Sequence, residues 1–214
     1  LDGAETARWV EKFLKTHADA KAWAFGTGAM ASSTNPEAQK VLVELLESSD
    51  TSQEQRDMIL SALTAAAQPL TSDTEDAILK IVKAGKSDLK ENALYALGSA
   101  IRASIDETQR TRFEVALLDQ ARRSKGARQD LVFLDAIGNS GSSALLPFVS
   151  EKLKSASDAV RMKAVYATRY MKAVDSAGIL GEAENDTSLK VRRMIQLTRE
   201  FQERVSQNTS EDES

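Results

Sequence analysis

His17 is the single histidine of this 214-residue chain, and there is no cysteine. A histidine-built metal centre needs several imidazoles or thiolates, and general-base catalysis needs an acid or nucleophile placed beside the base. His17 stands between Thr16 and Ala18 at an expected helix junction, so it reads as a surface or capping residue. The carboxylates show no EF-hand spacing. Gly26-Thr27-Gly28 and Gly138-Asn139-Ser140-Gly141 could suggest phosphate loops, but neither follows a strand and neither ends in Lys-Ser or Lys-Thr. Gly138 closes an apolar helical stretch, where a left-handed glycine cap is expected. No Gly-x-Ser-x-Gly elbow is present. The expectation is a non-enzyme with no catalytic residue, no metal site and no cofactor.

Other residues have the chemistry of recognition. Arg122-Arg123-Ser124-Lys125 with Arg128 makes a compact basic knot. It reads as a solvated turn complementing a helix dipole, with recognition of phosphate or an acidic partner as the alternative. Tyr95 and Tyr166 stand directly before Ala96 and Ala167, at matching places in two helices. At 100° per residue both rings fall roughly opposite the apolar stripe of their helix. Asn185-Asp186-Thr187 and Asn208-Thr209-Ser210 match the glycosylation pattern, which matters only in a chain secreted by a eukaryote.

The elements that position these residues repeat. Ala24-Phe25-Gly26, Ala62-Leu63-Thr64, Ala96-Leu97-Gly98, Ala136-Ile137-Gly138 and Ala167-Thr168-Arg169 recur at spacings of 38, 34, 40 and 31. Periods of about 30–45 residues with two helices each mark stacked helical repeats. Punctuation predicts helix pairs over 35–47 with 52–68, 71–85 with 87–100, 106–124 with 127–138, 143–155 with 158–172, and 176–184 with 187–205. Asn35-Pro36 opens the first of these, and Val160, Ala164, Ala167 and Met171 form a buried helical stripe in the fourth. No alternating strand pattern is seen. Residues 1–205 are expected to form one domain, and the acidic tail over 206–214 is expected to be disordered.

Composition agrees. The chain is 42% hydrophobic and 28% charged, with three prolines and ten glycines, which suits helices. No stretch is long and apolar enough for a membrane span. The chain starts at Leu1 with neither an initiator methionine nor a signal peptide, as expected of a trimmed or processed domain. Residues 1–100 carry 10 basic and 15 acidic side chains, and residues 101–205 carry 18 and 14. That mild asymmetry, within a net charge of −4, is far from the basic stripe of a nucleic-acid binder.

Asp158-Ala159-Val160-Arg161, followed by Ala164 and Ala167, resembles the start of the second helix of a HEAT repeat, and Val191-Arg192 repeats the Val-Arg pair. The resemblance implies that the acid caps, the valine enters the core and the arginine ladders onto the neighbouring unit. Phe133 to Gly141, then Leu145-Leu146-Pro147-Phe148, resembles the α-helical domain of the vitellogenin-like large lipid-transfer proteins, over residues 127–200.

The fold expected is therefore all-α, a right-handed superhelix or solenoid of about five antiparallel helix pairs, HEAT/armadillo-like. In a HEAT-like stack second helices line the concave face. Tyr95 and Tyr166 would then lie in a groove with Arg102, Lys163 and Arg169 on a positive rim and Asp135 at the equivalent place between them. Function is expected to be that of a scaffold binding a protein partner, or supporting a lipid-transport assembly. A nucleic-acid-binding solenoid and a HEAT-repeat enzyme subunit are the alternatives. Compartment stays open: exported if the lipid-transfer likeness holds, cytoplasmic otherwise.

Overall fold

A computed structural model describes residues 3–17, 19–66, 69–84 and 89–211, with side chains to 207. Among the described residues there are twelve α-helices and no strand. They fall into two compact units, residues 1–110 and 111–214.

The first unit opens with α1 (Ala4–Thr16) and α2 (Ala20–Ala31), and continues with α3 (Pro36–Glu47), α4 (Gln53–Ala65), α5 (Ser72–Lys83) and α6 (Lys90–Ala103). First helices stack on first helices, α1 on α3 on α5, and second on second, α2 on α4 on α6. Local chemistry sets the starts. Asp19 accepts from the amides of Lys21 and Ala22, Asn35 caps α3 ahead of Pro36, and Ser52 forms a capping box with Gln55. Leu14, Leu42, Leu45, Leu60, Leu63 and Leu97 are all but fully buried between the layers. Gly26 lets the first two helices approach, since a Cβ there would sit 3.0 Å from Leu14. Buried Gln39 clamps the loop ahead of α5: its Nε2 donates to the Pro69 carbonyl at 3.0 Å and its Oε1 accepts from the Thr71 amide at 2.7 Å.

Two readings of this unit need correction. The α1/α2 pair adds a sixth to the five expected. Phe25 is not the counterpart of Leu63 and Leu97: it is 81% exposed while they are buried, so the Ala24-Phe25-Gly26 echo is out of phase. The expected Ser87-Asp88 cap and the Gly85 stop lie outside the described residues.

The second unit contains most of α7 (Glu107–Ala121), then α8 (Ala127–Ser140), a 3₁₀ turn (Ser143–Leu145) running into α9 (Leu146–Lys152), α10 (Asp158–Tyr166), α11 (Ala173–Ala183) and α12 (Leu189–Glu211). Again second helices stack, α8 on α10 on α12, while α9 packs on α11. Phe113, Leu117, Leu134, Ile137, Val160 and Val191 are fully buried here. Helix α10 ends at Tyr166, short of the expected 172. The Thr168 hydroxyl takes the Val165 carbonyl at 2.9 Å, and tighter turns follow. Far from ending at 205, α12 continues to Glu211; residues 212–214 of the expected tail lie outside the described residues.

One device recurs. Arg56, Arg110, Arg161 and Arg192 are each the fourth residue of their helix, and each donates to a carbonyl in the loop behind it. Arg161 also forms a two-bond ion pair with Asp186 of the next loop, at 2.7 and 3.0 Å. This ladders one helix pair to the next as the Val-Arg motif implies. Asp158 departs from that pattern: it does not cap α10, and instead accepts from the Ser188 hydroxyl at 3.3 Å.

Candidate functional site

In α8 the residues Phe133, Leu134 and Ile137 face inward, which turns Asp135 and Asn139, four apart, to the half-buried face. In α10 Val160 and Ala164 are inward, turning Lys163 and Tyr166 to the matching face. Because α8 and α10 pack side by side, these residues meet. Lys163 Nζ lies 2.8 Å from Asp135 Oδ1 and 5.7 Å from the centre of the Tyr166 ring. The Arg169 guanidinium stacks over the same ring at 4.4 Å and over Tyr170 at 5.1 Å. It also donates to Asn139 Oδ1 at 2.6 Å and to the Tyr166 carbonyl. Tyr170 in turn meets Phe201 of α12 edge to face at 5.0 Å.

The Gly138-Asn139-Ser140-Gly141 segment explains itself in this geometry. Gly138 lies inside α8 and is not the left-handed cap: a Cβ there would come 1.9 Å from Arg169 Nη1 and 3.2 Å from the Ala167 Cα. Its missing side chain makes the seat for Arg169. Asn139 supplies the acceptor. The left-handed residue is Gly141, φ 62°, where a Cβ would stand 2.8 Å from the Tyr170 carbonyl.

Of the six residues expected at a binding surface, Asp135, Lys163, Tyr166 and Arg169 come together in the second unit. Arg169 is corrected in one respect. It was expected on an open rim and is only 7% exposed, because Gly138 lets its side chain lie flat between α8 and the turn after α10. Tyr95, half-buried, and Arg102, exposed, lie seven residues apart on one face of α6 in the first unit.

His17 is exposed at the C-terminal cap of α1. Its ring stacks on Phe13 at 4.0 Å, Nδ1 lies 2.8 Å from the Phe13 carbonyl, and its own carbonyl accepts from Trp23 Nε1. Arg122, Arg123, Lys125 and Arg128 are exposed around Gly126, whose φ is 135°. Hydrogen bonding to Arg161 holds the Asp186 carboxyl below the usual carboxylate range. Lys152 is held above the ordinary lysine value: burial works against its charge, but the hydrogen bonds it donates to Asp130 and Glu151 outweigh it.

Sequence reasoning missed Asn139 and Gln202. Gln202 of α12, 7% exposed, donates from Nε2 to the Thr168 carbonyl at 2.8 Å, the Met171 carbonyl at 3.2 Å and Ser176 Oγ at 2.9 Å. A usable signal was the repeat length itself: polar partners recur one period apart, 28 residues for Asp135 with Lys163 and 30 for Asn139 with Arg169. The arrangement presents a fixed aromatic ring between two hydrogen-bonded cations, which is chemistry of recognition.

No family model matches the chain, and no curated protein matches it. Among solved structures it is similar to an engineered protein, with 19% identity, a TM-score of 0.52, and cover of 92% of this chain and 96% of that one. A designed armadillo repeat protein gives 17% identity and a TM-score of 0.49, over 91% of this chain and 98% of that one. Human deoxyhypusine hydroxylase in complex with glycerol gives 15% and 0.37, over 92% and 84%. The first likeness speaks for the fold alone, and together with the helix pairs stacked in each unit it makes this chain a helical-repeat protein.

Proposed function

We propose that the chain is a non-enzymatic scaffold that binds a protein partner through the face of α8 and α10 in its second unit. The observation that carries this reading is Tyr166: a half-buried ring with Lys163 at 5.7 Å and Arg169 at 4.4 Å, both cations themselves held by Asp135 and Asn139. A rigid aromatic flanked by positioned cations is what interface hot spots are made of, and its order is established before binding. With Lys163 as its partly exposed cation beside the Tyr166 ring, the face suits an extended peptide carrying an acidic residue. Tyr95 and Arg102 on α6 are proposed as a second contact.

Support of a lipid-transport assembly is the other proposal from the sequence. It rests on the short likeness over 127–200, and the seating of Arg169 by Gly138 and Asn139 accounts for that motif without a lipid. Protein binding is therefore the reading carried forward. The test is a peptide selected from a random display library on the wild-type protein and titrated calorimetrically. Tyr166→Ala should weaken binding by more than about 1 kcal/mol while unfolding changes by no more than about 1 kcal/mol. Unchanged affinity in a folded variant would move the site away from α8 and α10.

A further inference from the structure

Helix α1 uses only part of its surface within the first unit. Ala7, Val10 and Leu14 are buried, and Arg8, with Glu11 beside it, reaches Glu37 and Glu44 of α3. A different stripe of the helix carries Glu5, Trp9, Lys12 and Phe13, brought onto one face by separations of three, four, seven and eight residues. Trp9 is 63% exposed and stacks on Phe13 at 5.6 Å, and Phe13 stacks in turn on His17 at 4.0 Å. On α2, Phe25 adds a ring that is 81% exposed, next in sequence to the Gly26 that packs on Val10 and Leu14. The end pair of a helical stack normally turns a polar face outward. An ordered row of exposed rings in the first pair is the reverse of that, and marks a contact surface.

The charges beside the rings say what covers them. Glu5 and Lys12 are exposed and form no ion pair with a described residue. Seven residues, about 10 Å along the axis, hold them too far apart to pair with each other. Glu5 stands about 6 Å before Trp9 and Lys12 about 4.5 Å after it. In an antiparallel pair of α1 helices crossing at Trp9, each Glu5 therefore comes level with Lys12 of the other copy to within about 1.5 Å. A two-fold axis between the helices keeps both ion pairs on the same flank of the aromatic row and makes them equivalent. The stripe is its own complement.

We propose that the Trp9–Phe13 face of α1 is a self-association surface on which a second copy of the chain docks antiparallel, ring row against ring row and Glu5 against Lys12. The helix has 13 residues and is about 20 Å long, so the contact is smaller than a standard interface. The dimer is correspondingly weak, with a dissociation constant on the order of 10–100 µM. It is independent of the α8–α10 face.

Sedimentation equilibrium of the whole chain at low salt, over roughly 5 to 500 µM, should show monomer and dimer in exchange. Trp9→Ser should weaken the dimer at least about tenfold. Glu5→Lys and Lys12→Glu should each weaken it at least about fivefold, because by symmetry one substitution turns both pairs into like charges. All three positions are exposed, so the melting temperatures should stay close to wild type. Recovery is the deciding result. An equal mixture of the Glu5→Lys and Lys12→Glu variants should form a dimer of one of each, and the double variant should self-associate like wild type. A chain that stays monomeric throughout, a dimer indifferent to Trp9→Ser, or single variants that do not recover on mixing would each overturn the proposal.

Discussion

Replacing Gly138 with alanine puts a methyl group where Arg169 lies. The added Cβ would stand 1.9 Å from Nη1, 2.9 Å from Cζ and 3.2 Å from the Ala167 Cα. The guanidinium must leave, and with it go the 2.6 Å bond to Asn139 and the stacking on Tyr166. A charge-assisted hydrogen bond contributes about 1.5–3 kcal/mol and a partly buried cation–π contact about 1 kcal/mol. Alanine's better helix propensity returns about 1 kcal/mol. The expected net loss is about 2 kcal/mol, or roughly 4–8 °C in melting temperature for a chain of this size. The assay is a double-mutant cycle in urea. In an Arg169→Ala background the seat is already empty, so Gly138→Ala should become neutral or slightly stabilising, with a coupling energy of about 2 kcal/mol. If Gly138→Ala costs the same with and without Arg169, the glycine does not serve the arginine and this account of the motif is wrong.

Three further outcomes are expected. Asp186→Asn should cost about 1–2 kcal/mol at neutral pH through loss of the Arg161 pair. The folded carboxyl titrates below its unfolded value, so this stability is present above pH ~4 and disappears as pH falls through the depressed value; urea midpoints against pH should show wild type and variant converging in acid. Gln39→Leu strips partners from the Pro69 carbonyl and the Thr71 amide, so it should destabilise by about 2–3 kcal/mol and speed hydrogen exchange at Thr71. His17→Ala should leave peptide binding unchanged, and a loss of binding in a folded His17 variant would contradict the cap role.

The helix pairs were legible because caps and apolar periodicity are local. Asn35-Pro36 and the stripe through Val160 and Ala164 acted where they were read. Phase was harder. The Ala24-Phe25-Gly26 triplet looks like its later echoes, yet Phe25 faces water because Gly26 is the residue packed against Leu14. Arg161 and Arg192 were visible through their valine partners, while Arg56 and Arg110, in the same fourth position of a helix, follow glutamines and went unnoticed. Four of the site residues could be named from helical phase. Burial of Arg169 could not, because it depends on a glycine 31 positions earlier and on Asn139 one helix away. Gln202 was invisible for the same reason: its partners are the Thr168 and Met171 carbonyls past the end of α10 and the Ser176 hydroxyl of α11.

The central claim is that the face of α8 and α10 binds a protein. It is tested most directly by mapping a display-selected peptide on the isotope-labelled chain through its amide and side-chain shifts. The account predicts that the shifts concentrate on Asp135, Lys163 and Tyr166, and that Tyr166→Ala removes them while the remaining spectrum is preserved. Shifts gathered instead around the basic turn at Arg122, Arg123 and Lys125, with Tyr166 unmoved, would contradict it.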